Sequence, residues 1–385
     1  MRPFFVYQEM KKLYFFLGTT AELIKVAPII RELKNRNADF KIIASNQNTL
    51  EFGELEPLIG KQSADYTFKL KPFKYPRNIY LRFLVWSVKS INNYLLYFRN
   101  EFKGENRKNS LFIVHGDTVT SLMGAIVAKI CRVKLIHIES GLRSFSFLEP
   151  FPEEFCRFVI SYLTDIHFCP NKWALNNLKK HRGIKINTIY NTVGESLELA
   201  LKGKKGFVLN IPRDKRSFLS HSKKYFILIL HRQEHTLFNK KSSRRIIELM
   251  LKEAKDNLKC VFIMHRLTKD FLKKHGLSQK VKRNANVILP PRLPYLSFVK
   301  LMKNAEFIAT DGGTNQEENY YMGKPCLMLR NRTERIEGLG ENAVLSHDSK
   351  TMIRDFLKNY TKYRRKPIKI KIRPSKIIAD YLLDV

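Results

Sequence analysis

The chain has 385 residues, 44% of them hydrophobic, which is globular composition and enough for two ordinary domains. Its 70 lysines and arginines against 35 aspartates and glutamates leave a formal net charge of +35; so large an excess concerns partners and solubility rather than fold, and fits an anionic substrate, an anionic membrane surface, nucleic acid or lysine-rich coding bias. The five cysteines, Cys131, Cys156, Cys169, Cys260 and Cys326, contain no Cys-x-x-Cys pair, which excludes a disulfide framework or zinc site and predicts buried, reduced thiols in a cytosolic protein.

In chain order, Met1 to Lys12 carries charge inside a short apolar run and does not read as a signal peptide. Leu13 to Leu17 is β-prone and ends at Gly18. Glu22 to Asn35 has helical spacing, with Leu23, Val26, Ala27, Ile30 and Leu33 on one side, and Phe40 to Ala44 is the next strand. Strand, glycine turn, helix and strand make a βαβ unit. Tyr75 to Phe102 is rich in aromatics and leucine, with Arg77, Arg82, Lys89 and Arg99 dispersed through it. As a helix it suits a membrane interface and a core contact with solvated cations equally well. The βαβ pattern returns at Leu111–Val114, the helix after Thr118, and Lys134–Ile138.

Asn191 to Lys223 holds Gly203, Gly206, Pro212 and several lysines, and falls where a domain join is expected. A second series follows: strand Tyr225–Leu230, helix Ser243–Asn257, strand Cys260–Met264, helix Leu296–Asn304, then strands Phe307–Thr310 and Cys326–Leu329. Lys362 to Lys376 is strongly basic, with Pro367 and Pro374, and reads as a patch for anionic lipid or a solvated connector before a terminal helix. No apolar run reaches the eighteen or so residues of a membrane span, and there is no short-period repeat. The alternation predicts an α/β chain of two Rossmann-like domains with mostly parallel, doubly wound sheets. The expected division is 1–190 for the N-terminal domain and 191–365 for the C-terminal one. Residues 366–385 form a basic connector and a terminal helix returning to the N-terminal domain.

Chemistry concentrates at predicted strand ends, where ligands of open α/β sheets bind. Asp117 lies in His115-Gly116-Asp117-Thr118, Glu139 in Ile138-Glu139-Ser140-Gly141-Leu142-Arg143, and Glu153 in Phe151-Pro152-Glu153-Glu154. Three carboxylates so placed within forty residues point to proton transfer. Gly18 allows a tight turn into the first helix, whose N-terminus suits an anion, and Lys25 falls where its ammonium would reach the same anion. A plain βα turn explains Gly18 as readily. His231-Arg232 follows Tyr225–Leu230, and His265 follows Cys260–Met264. Asp311-Gly312-Gly313-Thr314 places a glycine pair between strand and helix, where backbone N–H groups approach a diphosphate closely. Glu318, just inside that helix, is placed to accept two hydroxyls of a sugar or ribose. Arg330 and Arg335 are placed for ligand charge, or for ion pairs with Glu334 or Glu337.

Together these segments resemble the non-hydrolysing UDP-N-acetylglucosamine 2-epimerase family, over nearly the whole chain from Leu13. Its Gly-Thr-Arg-Pro-Glu-x-x-Lys turn is seen as Gly18-Thr19-Thr20-Ala21-Glu22-Leu23-Ile24-Lys25. His-Gly-Asp-Thr is intact at His115–Thr118, Glu-x-Gly-Leu-Arg at Glu139–Arg143 and Pro-Glu-Glu at Pro152–Glu154. The Gly-His-Arg segment appears as Leu230-His231-Arg232, the Asp-Ser-Gly-Gly-x-Gln-Glu-Glu loop as Asp311 to Glu318, and Arg-x-x-Thr-Glu-Arg is intact at Arg330–Arg335. The resemblance implies the GT-B fold, two Rossmann-like domains facing a central cleft. It also implies inversion of UDP-GlcNAc at C2 to UDP-ManNAc, by elimination of UDP to a 2-acetamidoglucal and re-addition. Asp117, Glu139 and Glu153 match the family's acid/base positions, and His231 matches a histidine beside the diphosphate. Gly18, Lys25, Arg143, His265, Gly312, Gly313, Thr314, Glu318 and Arg335 are assigned to UDP-sugar binding. Neither a metal nor a cofactor is implied, and a homodimer is.

The chain departs from the family pattern at named places. Thr20 stands where the family has arginine beside the diphosphate. Asn46-Gln47-Asn48 replaces the Gln-His-Arg that many bacterial members use near a second UDP-GlcNAc, so substrate allostery does not carry over. The late Asn-Pro-Tyr-Gly-Asp-Gly segment is absent. The leading expectation is a 2-epimerase supplying surface polysaccharide synthesis from the cytoplasm, with peripheral contact at the inner membrane face through 75–102 and 362–376. The alternative is a membrane-associated GT-B glycosyltransferase with a UDP-sugar donor and a lipid-linked or polysaccharide acceptor. Several carboxylates around one sugar carbon disfavour it. Charge alone suggests nucleic acid, but no binding motif supports that partner.

Overall fold

Residues 11–69, 79–147, 149–203, 224–231 and 240–384 are described by a computed structural model, in two units that each hold one parallel sheet. The first unit gathers the chain up to Arg143, Pro152–Ser196 and the stretch from Ile372 onward. Its strands are β1 (Lys12–Leu17), β2 (Phe40–Ala44), β3 (Tyr66–Thr67), β4 (Ser110–His115), β5 (Lys134–Ile138), β6 (Ile166–Cys169) and β7 (Ile184–Asn187). They lie in the order β3-β2-β1-β4-β5-β6-β7, all parallel. The central strands read as continuous apolar runs because helices cover both faces. Strand order reverses between β1 and β4, so the turns leaving these two strands flank the switch point, where open α/β sheets take ligands.

The helix after β1 starts at Thr20, earlier than its apolar spacing predicts, because a capping box fixes its start. The Thr19 hydroxyl accepts from the Glu22 N–H, and the Glu22 carboxylate accepts from the Thr19 N–H. The predicted aromatic segment contains a 23-residue helix, Ile79–Glu101; its residues 75–78 lie outside the described residues. Ser90, Tyr94 and Phe98 turn inward, and the Tyr94 ring meets Phe16 of β1 edge-on at 5.0 Å. Each such fully buried ring contributes about 2–3 kcal/mol of transfer free energy. Leu81, Phe83, Val88 and Leu96 of the same helix are exposed. The helix is thus a core element along one stripe and apolar at the surface on the far side, through Leu81, Val88 and Leu96, while Phe83 extends the inward stripe to an exposed position.

The second unit holds Ser144–Phe151 and Leu197–Lys371. Its strands are β8 (Tyr225–Ile229), β9 (Lys259–Ile263), β10 (Val287–Ile288), β11 (Ile308–Thr310), β12 (Cys326–Met328) and β13 (Ala343–Leu345). Their order is β10-β9-β8-β11-β12-β13, again all parallel. The switch point lies between β8 and β11. The unit boundary falls between Ser196 and Leu197, inside helix Thr192–Lys202; residues 204–223 of the expected join lie outside the described residues.

Between the 3-10 turn Tyr360–Tyr363 and helix Pro374–Asp384, the basic run has no helix or strand and is mostly exposed. Lys366, Lys369 and Lys371 point to solvent, while Ile370 is buried. The Arg365 N–H donates to Gly323 O at 2.8 Å and the Ile368 N–H to Tyr321 O at 2.9 Å. Gly323, at φ 63°, ends helix Gly313–Met322, and a Cβ there would sit 2.3 Å from the Arg365 carbonyl oxygen. Glycine therefore serves both the left-handed turn and the close approach. Helix Pro374–Asp384 belongs to the first unit, where Asp380 pairs with Arg36 at 2.6 Å. Among the described residues, no helix is long and apolar enough to cross a membrane.

Two buried histidines make the first sheet acid-sensitive. His137 on β5 pairs in register with His167 on β6. Burial pushes His137 down to about 4 and His167 down to about 3. Depressed bases contribute stability that is complete above the unfolded value of about 6.5 and is lost as pH falls toward the folded values. We predict that the unfolding free energy is flat above about pH 7 and falls below about pH 6, by about 1.4 kcal/mol per pH unit for each histidine, with the denaturant midpoint falling in parallel. A His137→Gln/His167→Gln variant should show a shallower drop. A midpoint independent of pH between about 7 and 5 would refute the assignment.

Candidate active site

The first unit gathers its candidate residues around the β1/β4 switch point. Glu22 ties the two turns together. Its Oε2 accepts from the Gly18 and Thr19 N–H groups at 2.7 and 2.8 Å, and its Oε1 from the Thr118 and Ser121 hydroxyls at 2.8 and 2.9 Å. Burial holds the Glu22 carboxyl above its usual range, and these hydrogen bonds offset only part of that. A Cβ on Gly18 would lie 2.6 Å from Thr120 Oγ1, so glycine is required here by contact rather than by backbone angle. Thr20 is engaged with the loop before the next helix. Its hydroxyl donates to Thr49 O and accepts from the Glu51 N–H, each at 3.2 Å.

Glu139 sits just past β5 with φ 64°, a left-handed conformation that costs a non-glycine residue about 1 kcal/mol. Lys25 donates to its two carboxylate oxygens at 2.9 and 2.8 Å, and Asn191 Nδ2 donates to Oε1 at 2.6 Å. All three side chains are buried. Lys25, expected to reach a ligand anion, is engaged with a carboxylate of the site. Glu139 Oε2 would lie 3.2 Å from a Cβ on Gly116, the residue before Asp117; this places the two carboxylate-bearing turns side by side.

Asp117 pairs with Arg157, which also approaches Glu154 at 3.5 Å. Glu154 in turn accepts from Arg143 Nε at 2.6 Å, and the Arg143 guanidinium lies over the Phe158 ring at 5.5 Å. Glu153 opens helix Glu153–Leu163 and is half-buried. Asp117 keeps 21% of its side chain exposed while Arg157 keeps 4%, so the carboxylate is the accessible member of that pair. Sequence reasoning brought forward Asp117, Glu139, Glu153, Lys25 and Arg143 but not Arg157 or Asn191. Arg157 carried a signal, since it lies three residues after Glu154 on one helix.

The second unit builds around the β8/β11 switch point. The His231 N–H donates to Asp311 Oδ2 at 2.8 Å, and His231 Nδ1 lies 3.0 Å from Asp311 Oδ1. Asp311 is fully buried beside an imidazole whose side chain is 35% exposed. The His265 ring lies 4.9 Å from that of His231. Gly312 caps helix Gly313–Met322 without a side-chain cap bond, leaving first-turn N–H groups of the kind that receive phosphate. A Cβ on Gly312 would lie 3.1 Å from His231 Cε1, and one on Gly313 would lie 2.4 Å from Glu334 Oε1. Thr314 is half-buried in that first turn. Glu318 is buried one turn further on and accepts from Asn315 Nδ2 at 3.0 Å. Burial, and the Glu318 carboxylate beside it, push the Tyr295 phenol up.

Arg335 is turned inward against Glu317, and Arg330 donates to Glu334 at 3.0 Å. The ion-pair alternative for these arginines is therefore what the fold contains, buried rather than at the surface. Gln316 Nε2 donates to Arg335 O at 3.1 Å and Glu337 O at 2.9 Å, clamping this loop to the glycine-started helix. Among the described residues, no group of three or more His, Cys, Asp or Glu is placed to hold a metal ion.

A family profile described as UDP-N-acetylglucosamine 2-epimerase matches residues 88–373. The chain is 32% identical over 350 residues to the UDP-N-acetylglucosamine 2-epimerase of Methanocaldococcus jannaschii, covering 89% of this chain and 90% of that one. It is 33% identical over 349 residues to that of Methanococcus maripaludis, covering 87% of each. Among solved structures, it is similar to the M. jannaschii UDP-GlcNAc 2-epimerase in complex with UDP-GlcNAc and UDP, with TM-score 0.75, 28% identity, and 96% and 99% of the two chains covered. It is also similar to the Neisseria meningitidis enzyme bound to UDP-GlcNAc, with TM-score 0.76, 26% identity, and 97% and 100% covered. With two doubly wound parallel units and matches of this extent, the chain belongs to the UDP-N-acetylglucosamine 2-epimerase family.

Proposed function

We propose that the chain interconverts UDP-GlcNAc and UDP-ManNAc. The observation that carries this reading is the Lys25–Glu139–Asn191 cluster beside the Asp117 turn, at the switch point of the first sheet. The relatives solved with UDP-GlcNAc support the same substrate. In the first half-reaction a carboxylate takes the proton from sugar C2. The C–H electron pair becomes the C1=C2 bond, and the C1–O pair leaves with UDP. In the second, a carboxylic acid returns a proton to the opposite face of C2, and a UDP oxygen adds back to C1. No electrons are gained or lost overall, so the demand is for acids and bases on two faces. Asp117, Glu139 and Glu153 are the groups assigned to that work. The Gly312 N–H is taken up by the Thr310 hydroxyl at 2.9 Å, so the N–H groups of Gly313 and Thr314 and the imidazole of His231 are assigned to the charge on the departing diphosphate.

The test is to incubate the full chain with UDP-GlcNAc in deuterated water and follow C2 by NMR. Deuterium at C2 together with a UDP-ManNAc signal is the expected result. Absence of both would overturn the reading. UDP release only after addition of a lipid-linked or polysaccharide acceptor would establish the transferase alternative instead.

A further inference from the structure

Asn191 follows β7 and precedes helix Thr192–Lys202. Its Oδ1 accepts from the Val193 N–H at 3.1 Å, the usual work of Asn at a helix start. That bond fixes which end of the amide is which. The Nδ2 group must point the other way, and it donates to Glu139 Oε1 at 2.6 Å, across 52 residues of sequence. Asn191 is 3% exposed and Glu139 5%, so water does not substitute for this bond at low cost. Lys25 approaches both carboxylate oxygens, which balances charge but does not choose an orientation for the carboxylate plane. A fixed amide donor on Oε1 does. It also holds a side chain whose backbone sits in the left-handed region.

We infer that Asn191 is the positioning residue of Glu139, holding its carboxylate in one orientation and in its ionised form. The inference rests on the acid/base role proposed for Glu139. The chemistry is that of a neutral donor on a buried carboxylate, which favours the charged form. Lys25 then supplies the compensating charge, and Asn191 supplies direction. Oε2, turned toward Gly116 and the Asp117 turn, is the oxygen that exchanges a proton with the sugar.

A helix cap and a positioning residue predict different behaviour for one substitution. Asn191→Ser keeps a good cap acceptor but cannot reach Glu139. For a cap alone, it should be silent. For a positioning residue, it should lower kcat about tenfold, with KM changed less, as expected for loss of one hydrogen bond to a charged group. The Glu139 carboxyl should also titrate about one pH unit higher. That titration is read by NMR on protein carrying 13C-labelled glutamate, with the Glu139 signal assigned by its absence in Glu139→Gln. It needs no substrate, so it still decides the inference if the full chain fails to epimerise. Asn191→Asp is the second variant. It also caps well, removes the donor and adds a charge, and should raise the Glu139 midpoint further. An unchanged midpoint in either variant overturns the inference, as does an unchanged kcat in an epimerising chain.

Discussion

Glu139→Gln should lower the rate of C2 deuterium exchange by about two to four orders of magnitude, the span expected when a positioned acid/base is removed. Glutamine keeps the size of the side chain and can still accept from Asn191, so binding of UDP-GlcNAc should change far less than turnover. It cannot carry the proton. The substitution also has a structural cost, because the Lys25 ammonium, 9% exposed, loses the carboxylate 2.8 Å away. Breaking a buried pair from one side costs about 3–5 kcal/mol, whereas replacing both members can be neutral. The two effects separate in a Lys25→Met/Glu139→Gln variant. Its melting temperature should recover most of the loss, and its exchange rate should not. If Glu139→Gln retained about a tenth or more of the rate while folded, a passive structural carboxylate would be the better description.

The contrast between Glu139 and its partners shows where sequence patterning stops. Glu139 was legible because it ends an apolar run, Leu135–Ile138, buried on both faces of a parallel sheet. The same logic exposed β1, β4, β8 and the chemistry at their ends. Asn191 offered only a helix-start signal, and its bond to Glu139 spans 52 positions. Periodicity within a window of residues cannot register such a pairing. Short edge strands escaped for a related reason. β3 is two exposed residues, Tyr66 and Thr67, held by pairing with Ile43 and Ala44. The helix expected to run to Asn257 ends at Glu253, because Lys255 and Leu258 exchange backbone hydrogen bonds at 2.9 and 3.1 Å and turn the chain into β9. The first is a tertiary pairing overriding local preference, and the second is a local turn that residue spacing alone does not mark.

Arg335→Met should destabilise the second unit by about 3–5 kcal/mol at neutral pH, the cost of leaving a buried charge unpaired. Arg335, Arg330, Glu317 and Glu334 are each at most 5% exposed and together balance two positive charges against two negative. Methionine fills much of the volume of arginine, so the cost is mainly that of the net negative charge it leaves behind. That charge has a chemical exit. As pH falls, one of the stranded carboxylates takes up a proton, so its raised folded affinity for protons makes the penalty largest at high pH and smaller in acid. Urea unfolding near pH 8 and near pH 5.5 should therefore show a gap between variant and wild type that narrows toward acid. Adding Glu317→Gln should restore more than half of the lost stability near pH 8, because it removes the uncompensated charge. The cluster also underlies the glycine turn. A Cβ on Gly313 would lie 3.0 Å from Arg335 Nε, and Gln316 anchors the start of the helix to Arg335 O. UDP affinity should fall with Arg335→Met even where the protein remains folded. A loss below about 1 kcal/mol, or a gap that does not change with pH, would mean that the cluster is already relieved by solvent.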